Sequence, residues 1–300
     1  MIDPDIRMYV GITDEAMYEE WKRSATDEVV FWTPGLKNFH PIREGDLYLL
    51  KLHAPKHYIV GGGYFVRYSV LPVYQVWEMF GTRTGLASLQ AFTEKLRRYR
   101  ARHAIDPERT EIGCIILRNP FYLREENYIP APENWSNQIV TGKLYDRTTP
   151  EGSLLWKTLR EKLEKEEKLS GLTAGSLGPG AFRALVTDAY HRRCAITGEQ
   201  VLPALSAAEI RPFTEGGEYR VSNGILLRAD LKALFEAGYL TLDKDYHVRI
   251  STCLAADYGE GNPYRELEGK EVGNLPEQLL DLPDPQALSW HREHVFLQKD

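Results

Sequence analysis

The most informative part of the sequence is AEIRP at residues 208–212, followed by GG at 216–217, VSNG at 221–224 and RADLKALF at 228–235. Related segments continue on both sides of it. They are YHRRCAITGE at 190–199, LFEAGYL at 234–240 and WHREHVF at 290–296. So many segments in a fixed order, spread over residues 182–297, form a specific signal.

These segments resemble the nuclease core of the HNH endonuclease family. The resemblance implies a ββα-metal domain with flanking helices, in which a hairpin and a helix surround one divalent ion, Mg²⁺ or Mn²⁺. It also implies that the domain hydrolyses phosphodiester bonds. At the first family histidine, the general base, this chain has Glu209, and at the helix histidine, a metal ligand, it has Lys232. Asn223 falls at the central asparagine, whose side chain keeps the hairpin loop in shape.

The two replacements change the chemistry of the site. A carboxylate, with a reference pKa of about 4.3 against about 6.5 for imidazole, is the weaker base, although it is a good oxygen ligand. An ammonium group repels a divalent cation and has no lone pair to offer. We expect a Glu209 to Lys232 ion pair in place of the metal. Because loss of a general base costs about 10²–10⁴ in rate, we expect cleavage to be weak or absent.

A rescued metal site is a second interpretation of the same region. Glu209 and Asp230, with Glu218, are the candidate metal ligands in that case, and His191 or His247 would supply the base. No histidine lies at a motif spacing, so these acids can equally serve the structure.

Other residues around the motif are candidates for roles outside catalysis. Arg211 and Arg228 are candidate DNA contacts, since arginine is well suited to phosphate oxygens. Trp290, His291 and His294 are interpreted as an aromatic and polar plug that closes the domain. The whole C-terminal domain is expected to span residues 182–300.

The charge of the chain limits how it can bind nucleic acid. The net charge is −6, whereas a chain that binds nucleic acid indiscriminately usually has a basic domain. Residues 1–150 carry 19 basic and 19 acidic residues, and residues 178–300 carry 13 and 19. Any contact with DNA must therefore be local. The densest local run of cations is Lys95, Arg97, Arg98, Arg100 and Arg102. A solvated helix end is the equally simple interpretation of that run.

Residues 1–150 predict a domain of mixed α+β structure. Strands are expected near 29–32, 46–52, 58–60, 64–68 and 112–117, and helices near 15–22, 73–80 and 86–102. The segments 39–46, 51–55 and 59–65 resemble the small PUA-like β-barrel that often precedes this HNH type, a superfamily that includes the SRA and EVE readers of modified bases. Residues 151–181 predict a helical linker with a glycine-rich end.

A reader of a flipped base needs aromatic walls and a few polar groups that recognise the base edge. Trp32 and Tyr64 are the candidate aromatic walls, and His40, Lys51 and His53 are the candidate polar contacts. For both aromatic residues, a place in the hydrophobic core is the alternative interpretation. A glycine run at 61–63 either lets another backbone approach closely or forms a turn or bulge.

Three functions are consistent with these features. The leading one is a DNA-binding protein of the modification-dependent restriction type whose HNH fold cuts weakly or not at all. The second is a non-catalytic DNA-binding or regulatory protein that uses the altered HNH fold as a backbone clamp, and the third is a structural module. A cut in both strands by a single-site nuclease implies a homodimer.

The cellular compartment is predicted from three kinds of sequence signal: membrane spans, secretory leaders and paired cysteines. No run of eighteen apolar residues and no secretory leader pattern is present, and the three cysteines are odd in number and widely separated. We therefore expect a cytoplasmic protein without membrane association and without disulfide bonds.

Overall fold

A computed structural model of the chain describes residues 6–36, 39–166 and 177–298. It divides into two compact units, Met1–Ala181 and Phe182–Asp300. Part of the predicted linker, residues 167–176, lies outside the described residues. None of the helices in the described part of the chain is both long and apolar enough to cross a membrane.

The described residues of unit 1 form one mixed sheet and four α-helices. Its strands are β1 Met8–Thr13, β2 Glu28–Thr33, β3 Leu47–Leu52, β4 Tyr58–Pro72, β5 Glu111–Tyr122, β6 Ile129–Pro130 and β7 Gly142–Tyr145. Its helices are α1 Glu15–Ser24, α2 Val73–Phe80, α3 Leu89–Arg102 and α4 Pro150–Lys165.

The strand order of this sheet is β2-β5-β4-β3-β1-β7, with β6 paired to β4. Only β1 and β3 pair in parallel, and the other pairs are antiparallel. The α+β class is confirmed. Within the described residues β2 and β7 end the order, so the sheet is open where a closed barrel was expected.

One face of the sheet forms the main core of unit 1 together with α4. The helix begins after Thr149, whose hydroxyl accepts the N–H of Gly152, with Pro150 in the first turn. Its apolar side chains then recur at helical spacing. They are Leu155, Trp156, Leu159 and Leu163, and they pack in one cluster with residues of β1, β3 and β4. The helix assigned to the linker is thus part of this core.

The glycine run at 61–63 lies inside β4, where the strand approaches β5 closely. A Cβ at Gly61 would lie 2.3 Å from the carbonyl oxygen of Phe121, and one at Gly62 would lie 2.6 Å from that of Tyr48. The β4–β5 register shifts just after Gly62. Close backbone approach at a bulge therefore explains the run.

Unit 2 contains two small hairpins and several short helices. Its strands are β8 Leu205–Glu209, β9 Gly224–Arg228, β10 Leu240–Leu242 and β11 Val248–Ile250. Helix α5 Pro179–Ala189 leads into the unit, and the later helices are α6 Ala229–Glu236, α7 Thr252–Tyr258 and α8 Pro285–His294. Strands β8 and β9 pair only with each other, and α6 follows β9 directly.

Candidate active site

The β8–β9 hairpin and α6 place the motif residues on three adjoining elements. The antiparallel register pairs Glu209 with Gly224, so Glu209 ends β8 where the hairpin loop begins. A Cβ at Gly224 would lie 2.4 Å from Val186 Cγ2 and 2.9 Å from the Phe182 ring. Only glycine therefore allows the hairpin to pack this closely on α5. Lys232 is the fourth residue of α6.

Asn223 holds the long loop between the two strands together. Its Nδ2 donates to the carbonyl oxygens of Arg211 at 2.9 Å and Glu218 at 3.0 Å, and its Oδ1 accepts the N–H of Arg211 at 3.0 Å. The side chain is only 3% exposed. All of its amide hydrogen-bonding atoms are thus used to fix the loop backbone, as a buried polar group requires.

Glu209 and Lys232 do not form the expected ion pair. Lys232 Nζ lies 3.1 Å from Glu236 Oε1, one turn further along the same helix. Glu209 Oε2 accepts the N–H of Phe213 at 2.8 Å, within the hairpin loop. Both residues are described, and neither is bonded to the other. The reason is proximity, because an i,i+4 partner and a nearby backbone N–H each cost little entropy to reach.

Arg228 and Asp230 neutralise each other at the start of α6. Arg228 Nε and Nη2 donate to the two oxygens of Asp230 at 2.8 and 2.6 Å. These hydrogen bonds lower the pKa of Asp230 to about 2, and they raise the pKa of Arg228. Arg211 is also engaged, since its Nε donates to Glu215 O at 2.7 Å and its guanidinium lies 5.3 Å from the centre of the Trp290 ring.

The residues of the motif do not fit a divalent ion. Asp230 is bound bidentately by Arg228, and Lys232 brings an ammonium group to the helix position where the resemblance implies a metal ligand. In the described ranges, no group of three or more His, Cys, Asp or Glu side chains is arranged to hold a metal. Glu209 retains a suitable oxygen, but a hard divalent ion needs several such ligands converging on one point.

A cavity of about 330 Å³ lies beside Glu209. The residues that line it are Glu209, Ile210, Pro212, Phe213, Thr214, Tyr219, Glu236, His291 and Val295. Phe213 and Tyr219 stack in parallel, with ring centres 4.8 Å apart and planes within 2°. The cavity thus combines two carboxylates with an aromatic wall.

The histidine in this cavity wall is structural. His291 Nε2 lies 3.1 Å from the carbonyl oxygen of Phe235 and its Nδ1 lies 2.9 Å from Thr241 Oγ1, and its ring stacks on Phe235. Burial lowers the pKa of His291 to about 4, so the ring is neutral near pH 7. With both nitrogens bonded, it is poorly placed to accept a proton from water.

The other two candidate bases lie outside the cavity. His191 faces Glu277 at 3.5 Å, and His247 faces Asp243 at 3.5 Å. Neither contributes to the cavity wall. A rescue that combines either histidine with Glu209 therefore gains no support from the geometry of the cavity.

Both aromatic candidates of the N-terminal unit are core residues. Trp32 is 6% exposed, and its Nε1 donates to Thr84 O at 3.1 Å while its ring packs 5.1 Å from that of Phe92. Tyr64 is 4% exposed within the cluster that packs on α4. Burial raises the pKa of Tyr64 to about 12. Neither ring is available to stack on a base.

The three polar candidates have different surroundings. His40 and His53 are exposed, whereas Lys51 is only 1% exposed. Lys51 Nζ donates to Leu52 O at 3.0 Å and lies 3.1 Å from His57 Nδ1. Burial lowers the pKa of Lys51. This lysine therefore faces internal partners.

The basic run on α3 is largely paired within unit 1. Arg97 and Arg98 both bind Glu94, at 3.1 and 2.7 Å, and Lys95 binds Asp14. Arg100 is buried, and its guanidinium donates to the carbonyl oxygens of Pro34, Arg109 and Glu111. The run is thus a helix surface with internal salt bridges, in line with the solvated interpretation.

A layer of contacting aromatic rings packs on the sheet of unit 1, and of its members only Phe31, Tyr48 and Phe65 were expected from the sequence to fill the core. Its rings contact one another with centres 4.9–6.4 Å apart, and they belong to Tyr9, Phe31, Phe39, Tyr48, Phe65 and Tyr68. Four of the six are half-buried. The available signal was three strand glycines, at 11, 113 and 142, where a Cβ would collide with Tyr48, Tyr68 and Tyr9.

Comparison with known proteins gives one family match. Residues 194–243 match the HNH endonuclease family. No curated protein is significantly similar to the chain. Among solved structures, ASCH from Zymomonas mobilis is 13% identical, with 50% of this chain and 94% of that chain covered and a TM-score of 0.36.

The modification-dependent TagI restriction endonuclease is 14% identical, with 90% of this chain and 75% of that chain covered, at a TM-score of 0.30. TM-scores this low carry no conclusion about a shared fold or function. The assignment rests on the family match, on the Glu209–Gly224 hairpin and on the helix that follows it. Residues 194–243 of this chain are thus an HNH endonuclease domain.

Proposed function

We propose that this protein binds DNA carrying modified bases, as in modification-dependent restriction, and that its HNH domain cuts phosphodiester bonds weakly or not at all. One observation carries the proposal. The loop of the motif is held intact by Asn223, while Glu209 and Lys232 are each bonded to a local partner. The framework of a nuclease is thus retained without the usual base and metal ligand.

The charges of the site explain why cutting should be slow. Hydrolysis needs a base for the attacking water and positive charge near the leaving oxygen. One oxygen of Glu209 is bonded to the Phe213 N–H, and the Lys232 ammonium is paired with Glu236. Asp230 is neutralised by Arg228. Lys232 and Asp230 would each have to give up a partner before they could act on a phosphodiester, and Glu209 has only its second oxygen left for this.

The N-terminal unit is proposed as the reader of the modified base. Support comes from the PUA-like resemblance of segments 39–46, 51–55 and 59–65, and from the half-buried aromatic layer, since aromatic rings stack on bases of any sequence. We expect the protein to do this in the cytoplasm. A residual cut in both strands would require a homodimer.

The test is a binding and cleavage panel. Plain, methylated, hydroxymethylated and glucosylated duplexes are incubated with the full chain in Mg²⁺ or Mn²⁺. We expect salt-sensitive binding that favours one modified duplex, with little cleavage. Cleavage that disappears in Glu209→Ala would show instead that the site is an active nuclease. Equal binding to all duplexes would contradict the reader role.

The backbone clamp is the second candidate function. The cations proposed for it are Arg211, Arg220, Arg228 and Lys232. Arg220 is paired with Asp284, and the others are engaged as described above. A clamp would therefore exchange these partners for phosphates. Binding to all duplexes that weakens uniformly in Arg220→Gln and Arg211→Gln would favour it.

A further inference from the structure

The cavity beside Glu209 has more negative than positive charge. Glu209 uses Oε2 for the Phe213 N–H, and within the described part of the chain its Oε1 makes no hydrogen bond. Glu236 also lines the cavity, half exposed, and is paired with Lys232 Nζ at 3.1 Å. Among the described residues, Glu236 has a cationic partner and Glu209 has none, so a bound cation would be favoured by one unbalanced negative charge.

Part of the cavity wall is aromatic. Tyr219 stacks in parallel on the Phe213 ring with ring centres 4.8 Å apart, and Phe213 is nevertheless 52% exposed. An exposed aromatic face attracts a cation above it, and a planar guanidinium can stack on the ring as well. The cavity of about 330 Å³ lies at the small end of ligand-binding pockets, which suits a single side chain.

The charge and the aromatic wall of the cavity favour one class of ligand over the others. Phosphate is repelled by the two carboxylates. A divalent metal lacks a third ligand here and would lie near the Lys232 ammonium. A compact ammonium could pair with Glu209 but could not stack. A guanidinium can do both, because its planar fork matches a carboxylate and its face matches an aromatic ring.

We infer that this cavity binds a guanidinium group, namely the arginine side chain of a protein partner. The group stacks on Phe213 and donates to Glu209 Oε1, and Glu236 supplies further negative charge. Rearranging the Lys232–Glu236 pair costs little, since a half-exposed i,i+4 pair contributes only weakly. The site is independent of whether the chain cuts DNA. The cavity that contains Glu209 would thus bind a partner protein, in addition to any role in DNA binding.

To test this, the full chain is titrated with Nα-acetyl-arginine methylamide, and binding is followed by NMR or calorimetry. The affinity of the matching lysine compound is measured in the same way. Cytidine and Mn²⁺ are then added as competitors. We expect saturable binding of the arginine compound. Glu209→Gln should weaken it about tenfold, since a hydrogen bond to a charged group is lost. Phe213→Leu should weaken it about threefold, since the stacking face is lost.

Glu215→Gln is the matched control. Glu215 lies in the same loop, but its side chain does not line the cavity, and this variant should bind as the unchanged protein does. Chemical shifts of the loop amides report whether each variant keeps its fold. Absence of saturable binding to the folded protein would overturn the inference. Equal affinity for the lysine compound would do the same, as would displacement of the arginine compound by equimolar cytidine or Mn²⁺.

Discussion

The hairpin loop at 210–223 and the face of α6 differ in what they have kept of the nuclease motif. In the loop, Asn223 makes three hydrogen bonds that fix the backbone. On α6, Lys232 pairs with Glu236, and Asp230 at the start of the helix pairs with Arg228. The loop framework and the proposed altered chemistry therefore depend on separate residues.

Placing histidine at both positions should produce the largest change in the activity of the domain. Because the loop is intact, Glu209→His combined with Lys232→His should return a base and a metal ligand to a suitable framework. We expect Mn²⁺-dependent cleavage to rise by about 10²-fold or more. Metal binding is measured by calorimetry and cleavage on a duplex substrate.

Glu215→His combined with Lys244→His is the control for the restored variant, because it makes the same changes outside the cavity. If the restored protein neither binds Mn²⁺ nor cuts, the chemistry has been lost at further positions. The Arg228–Asp230 pair would then be the first to examine.

Asn223→Ala tests whether the Asn223 side chain holds the hairpin loop in shape. It removes three hydrogen bonds from a buried amide and leaves the Arg211 N–H and two loop carbonyls without this partner. We expect the free energy of unfolding of unit 2 to fall by about 3 kcal/mol, measured by denaturant titration. Ser222→Ala, at the neighbouring position, should change it little. A loss below about 1 kcal/mol would mean that the loop is held by other contacts.

Acid should destabilise unit 2 through His291. Its pKa is about 4 in the folded state because of burial, whereas an exposed histidine has a pKa of about 6.5. As the pH falls below 6.5, the unfolded chain takes up a proton before the folded chain does. Stability should therefore fall by about 3 kcal/mol between pH 7 and pH 4.

His291→Gln should flatten this pH dependence, since glutamine does not titrate, and the exposed His294→Gln should leave it unchanged. Unfolding of each variant is measured by denaturant titration across the pH range. Identical pH profiles for His291→Gln and the unchanged protein would show that another group is responsible.

The smallest expected effect concerns the pair that the sequence predicted and the structure does not contain. Lys232→Ala should cost about 0.5 kcal/mol, the usual contribution of an exposed i,i+4 pair. In a double-mutant cycle with Glu209→Gln, the coupling energy should be about zero. A coupling above about 1 kcal/mol would mean that the two side chains interact after all.

The strands and helices of unit 1 were largely predictable, because turns and apolar runs mark them locally. Strand β3 lies within the predicted 46–52, and α2 matches the predicted 73–80. Side-chain orientation was harder to predict. Trp32 and Tyr64 were candidate pocket walls but lie in the core, because which face of a strand is covered depends on distant elements such as α3 and α4.

The HNH segments and the α+β class could be inferred from the sequence, since they depend on residue identity, spacing and local pattern. The partners of the charged groups depend on the tertiary structure. Glu209 bonds Phe213, Lys232 bonds Glu236 and Arg228 bonds Asp230. Each charge has several acceptors within reach along the chain. Which one it takes is set by where the hairpin and the helix place the side chains in space.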